Sequence, residues 1–129
     1  MAAAGGTKKR ALLVEDDQDS LDLITLELEI LGYEVSVARN GLEAVDMATS
    51  DPPDVVIMDM LMPKMDGFEA AARIRAHPQT YNTPILAATA LARDKDRDRC
   101  LASGCNDHLV KPFTHTQLDA RIRKLLGSS

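Results

Sequence analysis

The chain has 129 residues, 45% of them hydrophobic and 27% charged, which is enough for one hydrophobic core and short for two. Twenty acidic residues against fifteen basic ones leave a formal charge of -5, so direct nucleic-acid binding is disfavoured, and the scattered glycines and prolines exclude whole-chain disorder or a fibrous repeat. No apolar run approaches the roughly twenty residues of a membrane span, and Cys100 and Cys105, with His77, His108 and His115, match no zinc or disulfide-scaffold spacing, so free reduced thiols are expected.

Residues 1–7 are mostly small, lead into the basic Lys8-Lys9-Arg10, and contain no apolar stretch of signal-peptide length. They read as the disordered leader of a cytoplasmic protein. From there, short apolar runs alternate with amphipathic helical segments five times, the pattern of a parallel α/β sheet. Ala11 to Val14 is the first strand, and it ends in Glu15-Asp16-Asp17. Asp19 or Ser20 caps a helix running to Leu31, which Gly32 closes. Glu34 to Ala38 is the second strand and Gly41 to about Thr49 the second helix, stopped by Asp51-Pro52-Pro53.

Val55-Val56-Ile57-Met58 is apolar at every position, which requires burial on both faces of the sheet and predicts the central strand. Met60 to Asp66 follows as a loop, and Gly67 to Ala76 as a third helix ending near Pro78. Pro84 to Ala88 is the fourth strand, the charged segment Arg93 to Ala102 a fourth helix, and Asp107 to Val110 the fifth strand. Thr114 caps a last helix in which Leu118, Ile122 and Leu125 share one face. Five such units occupy residues 8–126, leaving 127–129 as a tail and no space for a second domain.

In an open parallel sheet the ligand crevice lies beyond the carboxyl ends of the strands, near the point where strand order reverses. The positions just past the strands hold Glu15 and Asp16, Asp59, Thr89 and Lys111. Carboxylates brought together there repel: at about 4 Å and an effective dielectric near 20, each like-charged pair costs roughly 4 kcal/mol. A hard divalent cation such as Mg²⁺ relieves that repulsion, and Lys111 adds a fixed positive charge. With phosphoryl oxygens held by the metal, the ammonium and the Thr89 hydroxyl, an oxygen of Asp59 can attack phosphorus and form an acyl phosphate. Taken singly, each of these acids reads more readily as an ordinary solvated loop residue, and none alone marks a site.

The segments Val14-Glu15-Asp16-Asp17, Met58-Asp59-Met60-Leu61-Met62-Pro63 with Asp66-Gly67, Ala88-Thr89-Ala90 and Lys111-Pro112-Phe113, in this order and spacing, resemble the receiver domain of two-component response regulators, of the chemotaxis or single-domain phosphorelay type. The resemblance covers about residues 8–126 and implies a doubly wound, flavodoxin-like sheet of five parallel strands with five helices. It makes Asp59 the phosphoacceptor, Asp16 a direct Mg²⁺ ligand, Glu15 its partner through water and the backbone carbonyl of Leu61 a further ligand. Lys111 is expected to pair with the phosphoryl group, Thr89 to swing towards it, and the bond before Pro112 to be cis.

One position departs from the commonest pattern. Where many receivers carry Tyr or Phe three residues before the lysine, this chain has His108. Its imidazole either takes over the inward and outward movement that accompanies the Thr89 shift or is a surface histidine without a switching role. Leu61 and Leu91 lie two residues past Asp59 and Thr89, where the resemblance places the side chains that flank the hydrolysing water. Both are apolar, which predicts a slowly hydrolysed phosphoaspartate.

Two surfaces concern partners. On the first helix Ile24, Leu28 and Leu31 form one apolar stripe and Leu23, Leu26 and Ile30 another; the second either packs beneath the last helix or stays exposed and docks a histidine phosphotransfer protein or kinase. The fourth helix, with alternating charge over Arg93 to Arg99 and apolar anchors at Leu91, Cys100 and Leu101, reads as a thinly attached output surface.

The resulting expectation is a single-domain regulator, not an enzyme acting on a diffusible substrate, that is phosphorylated by a sensor histidine kinase or phosphotransfer protein and switches its binding to a downstream protein. A dimer formed on phosphorylation is compatible with it, whereas direct nucleic-acid contact and membrane insertion are not expected. Two alternatives are the receiver module of a hybrid histidine kinase and a small Mg²⁺-dependent phosphohydrolase. The hydrolase needs a leaving-group acid close after Asp59, which Met60 and Leu61 do not offer.

Overall fold

The computed structural model, which describes residues 8–127, contains β1 (Arg10–Val14), α1 (Gln18–Ile30), β2 (Glu34–Ala38), α2 (Gly41–Ser50), β3 (Val55–Met58), α3 (Gly67–Ala76), β4 (Ile85–Thr89), α4 (Asp94–Ser103), β5 (Asp107–Val110) and α5 (His115–Leu125). The expected leader 1–7 and the end of the expected tail lie outside the described residues. All strand pairs are parallel, in the order β2-β1-β3-β4-β5. The sheet is therefore the expected doubly wound one, with β3 at its centre and the reversal of order between β1 and β3.

Period-two alternation divides the core between the two faces of the sheet. Leu12, Val14, Val56, Met58, Ile85 and Ala87 join residues of α2, α3 and α4 on one side. Ala11, Leu13, Val55, Ile57, Leu86 and Ala88 join Ile24 and Leu28 of α1 and Leu118 and Ile122 of α5 on the other. Every residue of β3 and β4 is buried, as strands covered by helices on both faces must be.

Several boundaries move, each for a local reason. Asp17, not Asp19 or Ser20, caps α1, because its side chain accepts the Ser20 N–H at 2.9 Å. That helix ends at Ile30 with Leu31 as its cap, and Gly32 then takes φ 98, a left-handed value that favours glycine. Pro84 has no N–H to give the ladder, so β4 starts one residue later and runs through Thr89. Helix α4 likewise starts at Asp94; the Asp96 carboxylate accepts the backbone N–H of Arg93 at 3.1 Å.

The second stripe of α1 does not pack beneath α5. Leu23, Leu26 and Ile30 are 58%, 54% and 71% exposed. On α4 only Cys100 and Asp96 are buried, which agrees with the expected thin apolar contact.

Both cysteines are free and buried. Burial pushes the Cys100 thiol up and the Cys105 thiol up to about 12. A proton lost more readily by the unfolded chain than by the native one lowers stability as pH rises from the ordinary thiol range towards 12. At pH 8 the native protein should resist iodoacetamide at Cys105 while the urea-unfolded chain is alkylated; rapid native alkylation would contradict the burial.

Candidate functional site

The carboxyl ends of β1 and β3 meet at the reversal of strand order. Glu15 extends the β1 ladder by donating its N–H to Ala38 O at 3.0 Å, and the Asp59 N–H reaches Val14 O at 3.0 Å. These bonds set the two acids side by side. Glu15 is 1% exposed, Asp59 half-buried and Asp16 exposed, and one oxygen from each of the three lies within 4.8 Å of the others.

Lys111 enters from the end of β5, where its backbone N–H donates to Thr89 O at 2.9 Å. Its ammonium donates to Glu15 Oε1 and, at 3.3 Å, to Asp59 Oδ2. The peptide between Lys111 and Pro112 is cis. Burial is the largest influence on the Glu15 carboxyl and raises its pKa, against the hydrogen bonds from Lys111 and from the Asp17 N–H at 3.1 Å; the Asp59 charge raises it further. For Lys111 burial acts to lower the pKa, but the Glu15 hydrogen bond and the charges of Asp59 and Glu15 together raise it. Lys111 is therefore a fixed ammonium.

The sheet thus assembles Glu15, Asp16, Asp59 and Lys111 as the strand-end positions predict. One ammonium faces three carboxylates, and the donors are hard oxygens that suit Mg²⁺. The Leu61 N–H donates to Asp59 Oδ1 at 3.2 Å, which orients the carboxylate, while the Leu61 side chain is exposed. Thr89 is not past its strand but the last residue of β4, fully buried, with its hydroxyl accepting the Leu91 N–H at 3.4 Å.

His108 is not a surface residue. It is 6% exposed on β5, and its Nε2 lies 2.7 Å from Leu91 O. Leu91 is consequently tied at its N–H to Thr89 and at its carbonyl to His108.

Gly67 is a positioning residue that the sequence reading did not single out. A Cβ there would stand 2.6 Å from Asp59 O and 2.7 Å from Met60 Cα, both backbone atoms with little freedom to retreat. The loop after Asp59 is folded back onto α3, with the Gly67 N–H bonded to Met60 O at 3.0 Å and Asp66 capping the helix through the Glu69 N–H at 2.9 Å. Gly67→Ala should cost about 2 kcal/mol by overpacking and lower Tm; an unchanged Tm would show that the loop can open. The Gly67 position in Asp66-Gly67 was visible, but not its contact with the backbone of Asp59.

A comparison with protein families matches residues 11–123 to the response regulator receiver domain. The chain belongs to this family. As a receiver it is a signalling module of two-component systems, whose members bind Mg²⁺ at the acidic site and interact with histidine kinases and downstream effectors. It is 37% identical over 91% of its length to the DNA-binding dual master transcriptional regulator RpaA of Synechocystis sp., of which it spans about half, 48%. It is 42% identical over 83% of its length to an uncharacterized 14.6 kDa protein of Leptolyngbya boryana, covering 82% of that protein. Its fold superposes with a TM-score of 0.89 on the receiver domain of the sensor histidine kinase PA1611 from Pseudomonas aeruginosa PAO1, at 37% identity over 95% of this chain and 100% of that one. The PA1611 domain was crystallised with a magnesium ion coordinated in its active site cleft. Among the described residues of this receiver, no helix is long and apolar enough to cross a membrane.

Proposed function

We propose that this receiver is a single-domain, cytoplasmic response regulator in which Asp59 takes a phosphoryl group from a phosphohistidine, with Mg²⁺ as cofactor, and so switches binding to a protein partner. The observation that carries the reading is the Lys111 ammonium held between Glu15 and Asp59, with Asp16 beside them. A carboxylate nucleophile, an ammonium and a cluster of hard oxygen donors are the parts that phosphoryl transfer to an aspartate requires.

Asp59 is the nucleophile. As one of its oxygens bonds to phosphorus, the P–N bond of the phosphohistidine breaks, and the departing imidazole nitrogen keeps the electron pair and takes up a proton. Asp16, Asp59, the Leu61 carbonyl and, through water, Glu15 would hold Mg²⁺, which when bound offsets negative charge on the phosphoryl oxygens. Lys111, already in reach of Asp59 Oδ2, pairs with the incoming group.

Thr89 carries the signal outward. Drawing its hydroxyl towards the phosphoryl group gives up the Leu91 N–H, and the other side of Leu91 is the carbonyl met by His108. The β4–α4 segment is then free to rearrange, and α4 follows because little apolar contact holds it. The exposed Leu23, Leu26 and Ile30 of α1 dock the phosphohistidine donor, a kinase or phosphotransfer protein, and the α4, β5 and α5 surface serves the downstream partner or a second phosphorylated copy.

Incubation with Mg²⁺ and acetyl phosphate should add one phosphoryl group, detected by intact mass. No adduct, under conditions where other receivers react, would overturn the reading. With Leu61 exposed and Leu91 packed at the edge of the core, neither offers a group to orient water, and the phosphoaspartate is expected to be long-lived. Leu61→Asn together with Leu91→Glu should shorten its lifetime by about tenfold or more; an unchanged decay of the labelled protein would refute this explanation.

The similarity to the PA1611 domain supports a second reading, a receiver module of a hybrid kinase. An immunoblot of host cells separates the two: a species far longer than 129 residues favours the module.

A further inference from the structure

Glu27 lies outside the phosphoacceptor network, yet it carries the one buried side-chain oxygen, Oε1, that lacks a hydrogen-bond partner among the described residues. It lines a cavity of ≈ 390 Å³, with Ser20, Leu23 and Ile24 of α1 on one wall and Lys111 and Phe113 on the other. That volume falls within the range of about 300–1,000 Å³ common among small-molecule sites. Spacing builds the α1 wall: Ser20, Leu23, Ile24 and Glu27 fall at i, i+3, i+4 and i+7, on one face of the helix.

The two ends of the cavity differ in charge. Ser20 and Glu27 are about two helical turns, roughly 10 Å, apart along α1. At the Ser20 end, the Asp17 carboxyl is held below its ordinary pKa by its bonds with Ser20 and, in smaller part, by the charge of Lys111. The Lys111 ammonium therefore sits at that end, where it already donates to Glu15 and Asp59. At the other end burial raises the Glu27 pKa, and the charge of His115 opposes this without supplying a hydrogen bond to the buried oxygen.

A carboxylate oxygen withdrawn from water calls for a donor, and a charged donor satisfies it best. A wholly apolar occupant would leave Oε1 stranded, and an anion would meet the charge of Glu27. A cation placed at the Ser20 end would meet the Lys111 ammonium. The occupant that fits carries its positive charge at the Glu27 end and an apolar body between Leu23, Ile24 and Phe113.

We infer that this cavity binds a small primary amine with an apolar, ring-bearing body, whose ammonium donates to Glu27 Oε1 while the body packs against Leu23, Ile24 and Phe113. Such binding needs neither a phosphoryl group nor a partner protein, so it stands apart from the phosphotransfer proposed above.

The test is a ¹H–¹⁵N NMR titration of the unphosphorylated receiver with 2-phenylethylamine, and in parallel with 2-phenylethanol, which has the same ring without the charge. Saturating Mg²⁺ keeps the probe off the Glu15, Asp16 and Asp59 cluster. The amine should shift the amides of Leu23, Glu27 and Phe113 saturably, with a Kd about tenfold below that of the alcohol, as one charge-assisted hydrogen bond provides. Glu27→Gln should bring the amine to the affinity of the alcohol and leave the alcohol unchanged. Ser20→Leu, which fills the far end from a partly exposed helix position, should weaken both probes together, and it tests the site even if Glu27→Gln disturbs the fold. Equal Kd values for amine and alcohol, or amine shifts confined to the acidic cluster, would overturn the inference. So would an amine preference that survives Glu27→Gln, or binding that Ser20→Leu leaves untouched.

Discussion

Asp59→Asn is expected to take up no phosphoryl group from acetyl phosphate or from a phosphohistidine protein, a complete loss rather than a slowing. The amide keeps the shape and the hydrogen bond to the Leu61 N–H, but it has no anionic oxygen to attack phosphorus. The fold should survive, because the substitution also removes one of three mutually repelling carboxylates while giving up a Lys111 contact at 3.3 Å. Stability within about 1 kcal/mol of wild type would be consistent with these opposing effects. Intact-mass measurement with a parallel thermal melt separates loss of chemistry from loss of structure. An adduct that persists in Asp59→Asn would move the acceptor to another residue, Asp16 first.

Lys111→Met should damage both the chemistry and the fold. The ammonium is the cation that meets Glu15 and Asp59, and Glu15 is almost wholly shielded from water. Removing one partner of such a pair strands the other, and breaking a buried pair in this way costs on the order of 3 kcal/mol. A thermal melt in EDTA should therefore show a clear drop in Tm. The three carboxylates, freed of their ammonium, should also bind cations more tightly, so Mg²⁺ should raise the Tm of Lys111→Met more than that of the wild type. An equal response to Mg²⁺ would mean that the acidic cluster is not where the metal binds. Phosphorylation by acetyl phosphate should slow severely, since nothing else in the described site supplies fixed positive charge to the incoming group.

The order of elements and the strand-end acids could be read from residue patterns because each has a local cause. Val55 to Met58 is apolar throughout because both faces of β3 are covered, and Glu15, Asp16 and Asp59 follow their strands because a parallel sheet presents its carboxyl ends at one edge. Other features depend on distant neighbours and left no local trace. The capping role of Asp17 depends on where the chain turns into α1, and Asp17, Asp19 and Ser20 are all competent caps in sequence. The fate of the Leu23, Leu26 and Ile30 stripe depends on how α5 lies against α1, which periodicity in α1 alone cannot specify. His108 is a similar case: its burial and its contact with Leu91 O depend on the packing of β5 beside the β4–α4 segment. The proximity of Gly67 to Asp59 likewise arises from a loop that folds back on itself.

Helix α4 gives the core little beyond Cys100, and its outward residues are charged and mostly exposed. Those outward side chains can consequently be exchanged with little loss of folding energy. Selection has a nearly free hand there: with the downstream partner on α4 as proposed, the recognition code for a new one can be rewritten along one helix, while the acids, the lysine and the strands that hold them stay as they are.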